Sequence, residues 1–232
     1  MLDVNVPVTF FVGENGSGKS TLLEGIAASA ELPVMGASQD AALDPTLAHA
    51  ERLAAALRLA WTTRSRQGFF LRAEDFFGRL KGLARIEARV RREKAEARAG
   101  IRVDEARVLG GAHPDEVAAT AFLQRFDSRS HGESFMDLFM ERIRPGGLYL
   151  LDEPEAPLSA KRQIAFLDVL IAQAKAGAQF IIATHSPILL ACPGARIYSF
   201  DQTPIATVPY ADLDNVVVTR DFLNDPGRFI QK

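Results

Sequence analysis

The sequence predicts an α/β fold, a mostly parallel sheet flanked by helices with an inserted helical lobe. Three observations carry that expectation. Short apolar runs alternate along the chain with helix-spaced segments, the pattern of parallel strands joined by helical crossovers. The first such run, "PVTFFV", Pro7 to Val12, leads directly into "GENGSGKS", Gly13 to Ser20, and then into a helical pattern. Two later runs end in polar residues, "LYLLDE" and "IIATH", and strand ends are where open α/β sheets bind ligands.

With 232 residues, 47% hydrophobic and 24% charged, the chain has an ordinary globular composition and enough length to bury a core. It reads as a single domain, with the sheet-bearing core at about 1–74 and 145–232 and the helical lobe at about 75–144. A net charge of -2 supplies no global electrostatic reason to bind nucleic acid. The one cysteine, Cys192, excludes an intrachain disulfide and fits a reducing compartment. Following "PILLA", it reads as a small buried hydrophobe. No apolar run approaches the roughly 18–20 residues that span a bilayer, so no transmembrane segment is expected. The start of the chain lacks the basic region and cleavage site of a secretion signal, and the expected compartment is the cytoplasm.

Element by element, "PVTFFV" suits a buried strand and "STLLEGIAASA" the helix after it. "DPTLAHAERLAAALRLAW" predicts a second helix with Asp44 as N-cap and Pro45 at the first helical position. "GFFLRAE" reads as a strand. From about Asp75 to Phe126 the composition turns to Arg, Glu and Ala, with almost no core-quality apolar stripe. Strands return with "GGLYLLDE" and "AQFIIATH", joined by a helical pattern from Ser159 to Lys175. "ARIYSF" and "PIATVPY" read as late strands and "TRDFLNDPGRFIQK" as a terminal helix.

The stretch Gly13 to Ser20 fits G-x-x-x-x-G-K-[ST] at every fixed position. Chance would produce that in a chain of this length on the order of one time in a hundred, and the strand before it and helix after it are the context the chemistry needs. Gly16 and Gly18 let the backbone curl around phosphate oxygens. Gly13, Glu14, Asn15, Ser17 and Thr21 complete the loop and its entry into the helix, whose positive end starts near Lys19. Lys19 can reach the β- and γ-phosphates and the Ser20 hydroxyl can ligate Mg²⁺. These residues predict a nucleoside triphosphate site on a P-loop NTPase core.

Asp152 and Glu153 end a buried strand, where two adjacent carboxylates are costly unless something uses them. Asp152 suits Mg²⁺, directly or through water, and Glu153 suits polarisation of an attacking water. His185, at the end of another strand, can sense the γ-phosphate and hold the water in line. No second His or Cys stands at ligand spacing to make His185 a metal site.

In "VTFFVGENGSGKSTLLEGIA", "GFFLRAEDFF", "SHGESF", "GLYLLDEPEAPLS", "QFIIATHSPILLACPGA" and "TRDFLNDPGRF" the chain resembles the ATP-binding-cassette superfamily. It looks most like small stand-alone bacterial "AAA family" ATPases related to the heads of chromosome-maintenance and DNA-repair ATPases. The resemblance implies ATP and Mg²⁺ as ligands and an ATP-dependent homodimer. It also implies that "SHGE", Ser130 to Glu133, stands for an S-G-G-[QE] signature, with Ser130 and Gly132 touching the nucleotide of the opposite subunit. His131 replaces the first glycine. Read locally, the same stretch is a capping box with Ser130 as N-cap and Glu133 reaching back, followed by an apolar face of Phe135, Leu138, Phe139 and Ile143. The two readings are compatible.

By the same resemblance Glu74 sits where a glutamine usually contacts the metal, and Ser159 takes the place of an aspartate; a simple N-cap also explains Ser159. Only 12 residues precede Gly13, so the upstream strand that carries an adenine-stacking aromatic in that superfamily has no counterpart, and a missing first strand is expected. Residues 79–107 hold ten Lys or Arg against five Asp or Glu. They read as a solvated helix with pairs such as Glu87–Arg91, or as a surface for DNA or a protein partner. The expected function is Mg²⁺-dependent ATP hydrolysis that switches a homodimer. A nucleotide-gated binding module with negligible turnover and a transporter motor subunit are the alternatives.

Overall fold

The computed structural model describes residues 1–35, 45–65, 67–74, 136 and 139–230. Most of the expected lobe, residues 75–135, together with Asp44 and the "SHGES" stretch, lies outside them. Seven strands form one sheet in the order β2-β3-β4-β5-β1-β6-β7. They are β1 (Val8–Val12), β2 (Val34–Met35), β3 (Gly68–Arg72), β4 (Leu148–Asp152), β5 (Gln179–Ala183), β6 (Arg196–Ser199) and β7 (Ala206–Thr207). All neighbours pair in parallel except β6 with β7, so the expected α/β class and mostly parallel sheet are what the chain forms. The described helices are α1 (Lys19–Ser29), α2 (Pro45–Ala56), α3 (Ala160–Lys175), the short α4 (Pro187–Leu190) and α5 (Asp214–Asn224).

Both faces of the sheet are covered, as its parallel strands require. Alternation with period two sorts the strand residues. Phe10, Phe69, Tyr149, Leu151, Phe180 and Ile182 face the side built from α3, α4 and α5. Phe11, Phe70, Leu148, Leu150 and Ile181 face the side that holds Leu23, Ile26 and Ala27 of α1. Because the central strands are buried on both faces, β1 and β4 are mostly apolar, interrupted by Thr9 and Asp152, and each is buried at all five positions. Phe139 and Ile143, expected on an apolar helix face, are buried on the α3 side, with the Phe139 ring 4.8 Å from that of Phe166. Cys192 joins the same core, and burial pushes its thiol above the ordinary range.

Phe180 is wholly buried in the middle of this face, its ring 5.4 Å from Tyr149 and 6.4 Å from Phe139. Phe180→Ala is expected to cost about 3–5 kcal/mol of stability. Urea denaturation should show a lower midpoint at an unchanged slope; a midpoint equal to that of the parent protein would contradict this packing account.

Several boundaries differ from the sequence expectation. The second helix stops at Ala56 rather than running to Trp61. The terminal helix begins at Asp214, five residues before Thr219, and ends before Pro226, which cannot continue a helix. The two-residue strand β2 carried no periodic signal. "PIATVPY" shrinks to the two-residue antiparallel β7, bounded by Pro204 and Pro209, which remove backbone donors. At the start of β3, Gly68 has φ +140, and a Cβ there would stand 1.8 Å from the Leu148 carbonyl oxygen. Only glycine lets β3 pair this closely with β4.

Among the described residues no helix is long and apolar enough to cross a membrane.

Candidate active site

Sheet register brings the polar strand ends together. Arg72 pairs with Asp152, Asp152 with Ala183, and Ala183 with Phe11, which forms one row across β3, β4, β5 and β1. Just past this row Glu153 and Thr184 leave β4 and β5, and Val12 ends β1 before the loop that starts at Gly13, all at the carboxyl edge of the sheet. This is also a topological switch point, because the chain leaves β1 for β2 at the far edge and later crosses from β5 over β1 to β6.

The loop after β1 curls as its glycines require. Gly16 (φ 84) and Gly18 (φ 97) adopt left-handed conformations that L side chains rarely take. Gly18 is the N-cap of α1 and no side chain caps that end, so the first amides of the helix are open to an anion. Lys19 folds back beneath the loop, its Nζ donating to the Gly13 carbonyl at 2.7 Å and the Glu14 carbonyl at 2.8 Å. Burial lowers the Lys19 pKa, while the carboxylates of Glu153, Asp152 and Asp201 pull it the other way. The Glu14 amide donates to Asp201 Oδ1 at 2.7 Å, which ties the first turn of the loop to the end of β6.

From this loop α1 runs beneath the sheet toward β3. Ser20 in its first turn meets β4, with Oγ donating to Asp152 Oδ1 at 3.0 Å. One turn later Glu24 meets β3, where it forms an ion pair with Arg72. Arg72 Nε also lies 3.4 Å from Asp152 Oδ2, so both oxygens of Asp152 are held. Burial pushes the Asp152 carboxyl above the ordinary range, against the Ser20 hydrogen bond and the Arg72 charge. A buried carboxylate facing a hydroxyl is a hard-oxygen pair that suits Mg²⁺, which takes one or two protein oxygens and leaves its other positions to phosphates and water. Among the described residues no group of three or more His, Cys, Asp or Glu could enclose a metal alone. Glu74 is exposed, two residues beyond β3; Arg72 is the β3 residue in contact with Asp152.

Glu153 continues the sheet by one backbone bond, donating its amide to the Ala183 carbonyl at 2.9 Å. It then turns at φ +50, a conformation that costs a non-glycine residue on the order of 1–3 kcal/mol and persists where the surroundings impose it. Its Oε1 lies 3.8 Å from His185 Nε2, beyond hydrogen-bond length. His185 Nε2 is buried and has no hydrogen-bond partner among the described residues. A polar atom left in this way next to a carboxylate is the kind of exception that points to a missing third group.

The loops carry further residues that sequence reasoning passed over. Glu155 Oε1 accepts the His185 amide at 2.7 Å, and Asn215 Nδ2 donates to the His185 carbonyl at 3.0 Å. Ser186 caps α4 by accepting from the Leu189 amide and donates to Gln163 Oε1 at 2.6 Å. Ser159 is the N-cap of α3, but its side chain makes no capping bond. Glu155 and Asp201 had a usable signal, being acids just beyond apolar strands, like Asp152. Arg72, Glu24 and Asn215 had none, because their relevance depends on which strands are neighbours. Ser130 and Gly132 lie outside the described residues.

Burial pushes the Glu155 carboxyl above its ordinary value of 4.5, against hydrogen bonds from the Thr184 side chain and the His185 backbone. The folded chain then holds this proton at a pH where the unfolded chain has released it. Stability therefore falls as pH rises from 4.5 toward the raised value and levels off above it. Glu155→Gln, which cannot titrate, is expected to flatten that part of the stability profile, measured as urea midpoints across a pH series. An unchanged slope would refute the assignment.

Residues 135–191 match a family model described as "AAA domain, putative AbiEii toxin, Type IV TA system". That span includes Asp152, Glu153 and His185, and ends before β6. Among solved structures the chain is similar to the SMC head domain from Thermotoga maritima, with 25% identity over 36% of this chain and a TM-score of 0.28. The match spans 34%, about a third, of that chain. No curated protein matches. The parallel sheet and the loop of Gly13 to Ser20 between β1 and α1 make this chain an α/β P-loop NTPase fold, and its residues 135–191 are similar to the AAA-domain family model.

Proposed function

We propose that the chain binds ATP with Mg²⁺ at the Gly13–Ser20 loop, hydrolyses it, and uses the bound nucleotide to join two copies head to tail. The observation that carries the hydrolytic reading is the unpartnered Nε2 of His185, 3.8 Å from Glu153 Oε1, at the same sheet edge as Lys19 and the Ser20–Asp152 pair. Lys19 and the loop amides, Glu14 to Thr21, would take the β- and γ-phosphates. Ser20 and Asp152 would hold the Mg²⁺, with Glu74 at the same strand-end edge. The metal, when bound, neutralises charge developing on the phosphate oxygens. Glu153 accepts the proton of the attacking water and His185 holds that water and the γ-phosphate in line. The side chains of Glu153 and His185 are 39% and 41% exposed, which leaves one flank of the site open. In the proposed dimer Ser130 and Gly132 of the second copy close that flank.

Light scattering after size exclusion tests the dimer. Glu153→Gln with Mg-ATP is expected to run as a dimer, and Ser130→Arg in the same background as a monomer. If both variants bind ATP and stay monomeric, the two-copy reading fails and "SHGES" is a helix cap. Stoichiometric ATP uptake with no phosphate released by the parent protein would leave a nucleotide-gated binding module in place of an enzyme.

A further inference from the structure

The turns bearing Glu153 and His185 are not joined by those two side chains, which stand 3.8 Å apart. Their connection is Glu155, two residues past Glu153, whose Oε1 accepts the His185 amide at 2.7 Å. The His185 carbonyl accepts from Asn215 Nδ2 on α5 at 3.0 Å. On either side of His185 the backbone is held by ordinary means. The Thr184 amide donates to the Phe11 carbonyl at 3.2 Å and extends the sheet, and Ser186 caps α4. At His185 itself two side chains from separate elements hold the two polar groups of the backbone.

Glu155 is an expensive acceptor for the His185 amide and the Thr184 side chain. Its second oxygen is buried with no hydrogen-bond partner among the described residues, and leaving a buried polar atom unsatisfied is destabilising. A neutral acceptor would satisfy the amide without burying an acid beside Glu153. Costs of this kind are found where a site is held in a set geometry. Holding His185 to within fractions of an ångström has value, because aligning a reactive group can change a rate by orders of magnitude.

We propose that Glu155 and Asn215 are positioning residues that clamp the His185 backbone at its amide and its carbonyl, and thereby aim the imidazole at Glu153. This rests on the reading of Glu153 and His185 as the pair that handles the attacking water. Neither clamp residue touches nucleotide; both act through His185.

The experiment compares Glu155→Ala, Glu155→Gln and Asn215→Ala, each alone and combined with His185→Ala, in kcat and in Mg-ATP affinity. Glu155→Ala is expected to lower kcat about 10- to 100-fold with the Kd for Mg-ATP within about twofold. Glu155→Gln keeps an oxygen acceptor and is expected to recover most of the rate, and Asn215→Ala to fall in the same direction as Glu155→Ala. Combined with His185→Ala, Glu155→Ala should add no further loss, because residues acting as one unit are non-additive. Without nucleotide, the His185 ring resonances, assigned by their disappearance in His185→Ala, should shift in Glu155→Ala and Asn215→Ala and stay near the parent position in Glu155→Gln. Full additivity with His185→Ala, or parent-like kcat in Asn215→Ala, overturns the clamp; Asn215→Ala decides the matter even if Glu155→Ala does not fold. A parent-like rate in His185→Ala or Glu153→Gln would instead overturn the underlying hydrolytic reading.

Discussion

Glu153→Gln is expected to slow ATP hydrolysis by about 10²- to 10⁴-fold, the usual contribution of a general base, while leaving ATP affinity near that of the parent protein. The amide side chain has nearly the shape of the carboxylate but cannot accept the proton. Among the described residues, the hydrogen bonds that hold residue 153 are made by its backbone. Its amide bonds to the Ala183 carbonyl at 2.9 Å, and its carbonyl accepts from the Ala156 amide at 3.1 Å. Those bonds survive the substitution, so the turn at φ +50 should survive with them. Nucleotide contacts are assigned to the opposite side of the site, on the loop of Lys19. Phosphate release and equilibrium binding, measured on the same preparation, separate the two effects. Hydrolysis at the parent rate would remove Glu153 from the role of base.

Lys19→Met is expected to weaken Mg-ATP binding by about 2–5 kcal/mol, the cost of removing one partner from a buried charge pair, or on the order of 30- to several-thousand-fold in Kd. The charges acting on Lys19 are all carboxylates, those of Glu153, Asp152 and Asp201. Two backbone carbonyls also point at its ammonium, at 2.7 and 2.8 Å. A triphosphate entering that surrounding without the Lys19 cation would be repelled. Methionine has similar length and stays compatible with a residue only 5% exposed, so the fold should persist, as a thermal melt would verify. Titration calorimetry giving a Kd within threefold of the parent protein would mean that the loop amides alone bind the phosphates. The two variants fail differently: one binds and does not turn over, the other does not bind.

Much of the candidate site was legible because its parts are local. The phosphate loop is eight consecutive residues, and its chemistry follows from glycines that free the backbone, a helix start and one lysine at set spacing. Asp152, Glu153 and His185 stood out as polar residues ending apolar runs, and those runs proved to be the five-residue strands β4 and β5. Cys192 was read correctly as a core residue. Short or capped edges were the weak points. β2 and β7 have two residues each, too few for any period, and α5 starts without a side-chain N-cap bond to mark it.

By itself, the sequence determined the α/β class, the strand–loop–helix that bears Lys19 and Ser20, and the polar strand ends, since each follows from residue spacing within a few turns of chain. Tertiary structure alone decided that β5 lies between β1 and β4. It also decided that α1 carries Ser20 to Asp152 and Glu24 to Arg72, and that Glu155 and Asn215 hold His185. Those contacts join residues from 30 to 132 positions apart, or 48 for Glu24 and Arg72. A pairing over such distances depends on the order and register in which strands assemble, and no local pattern of side chains encodes that order.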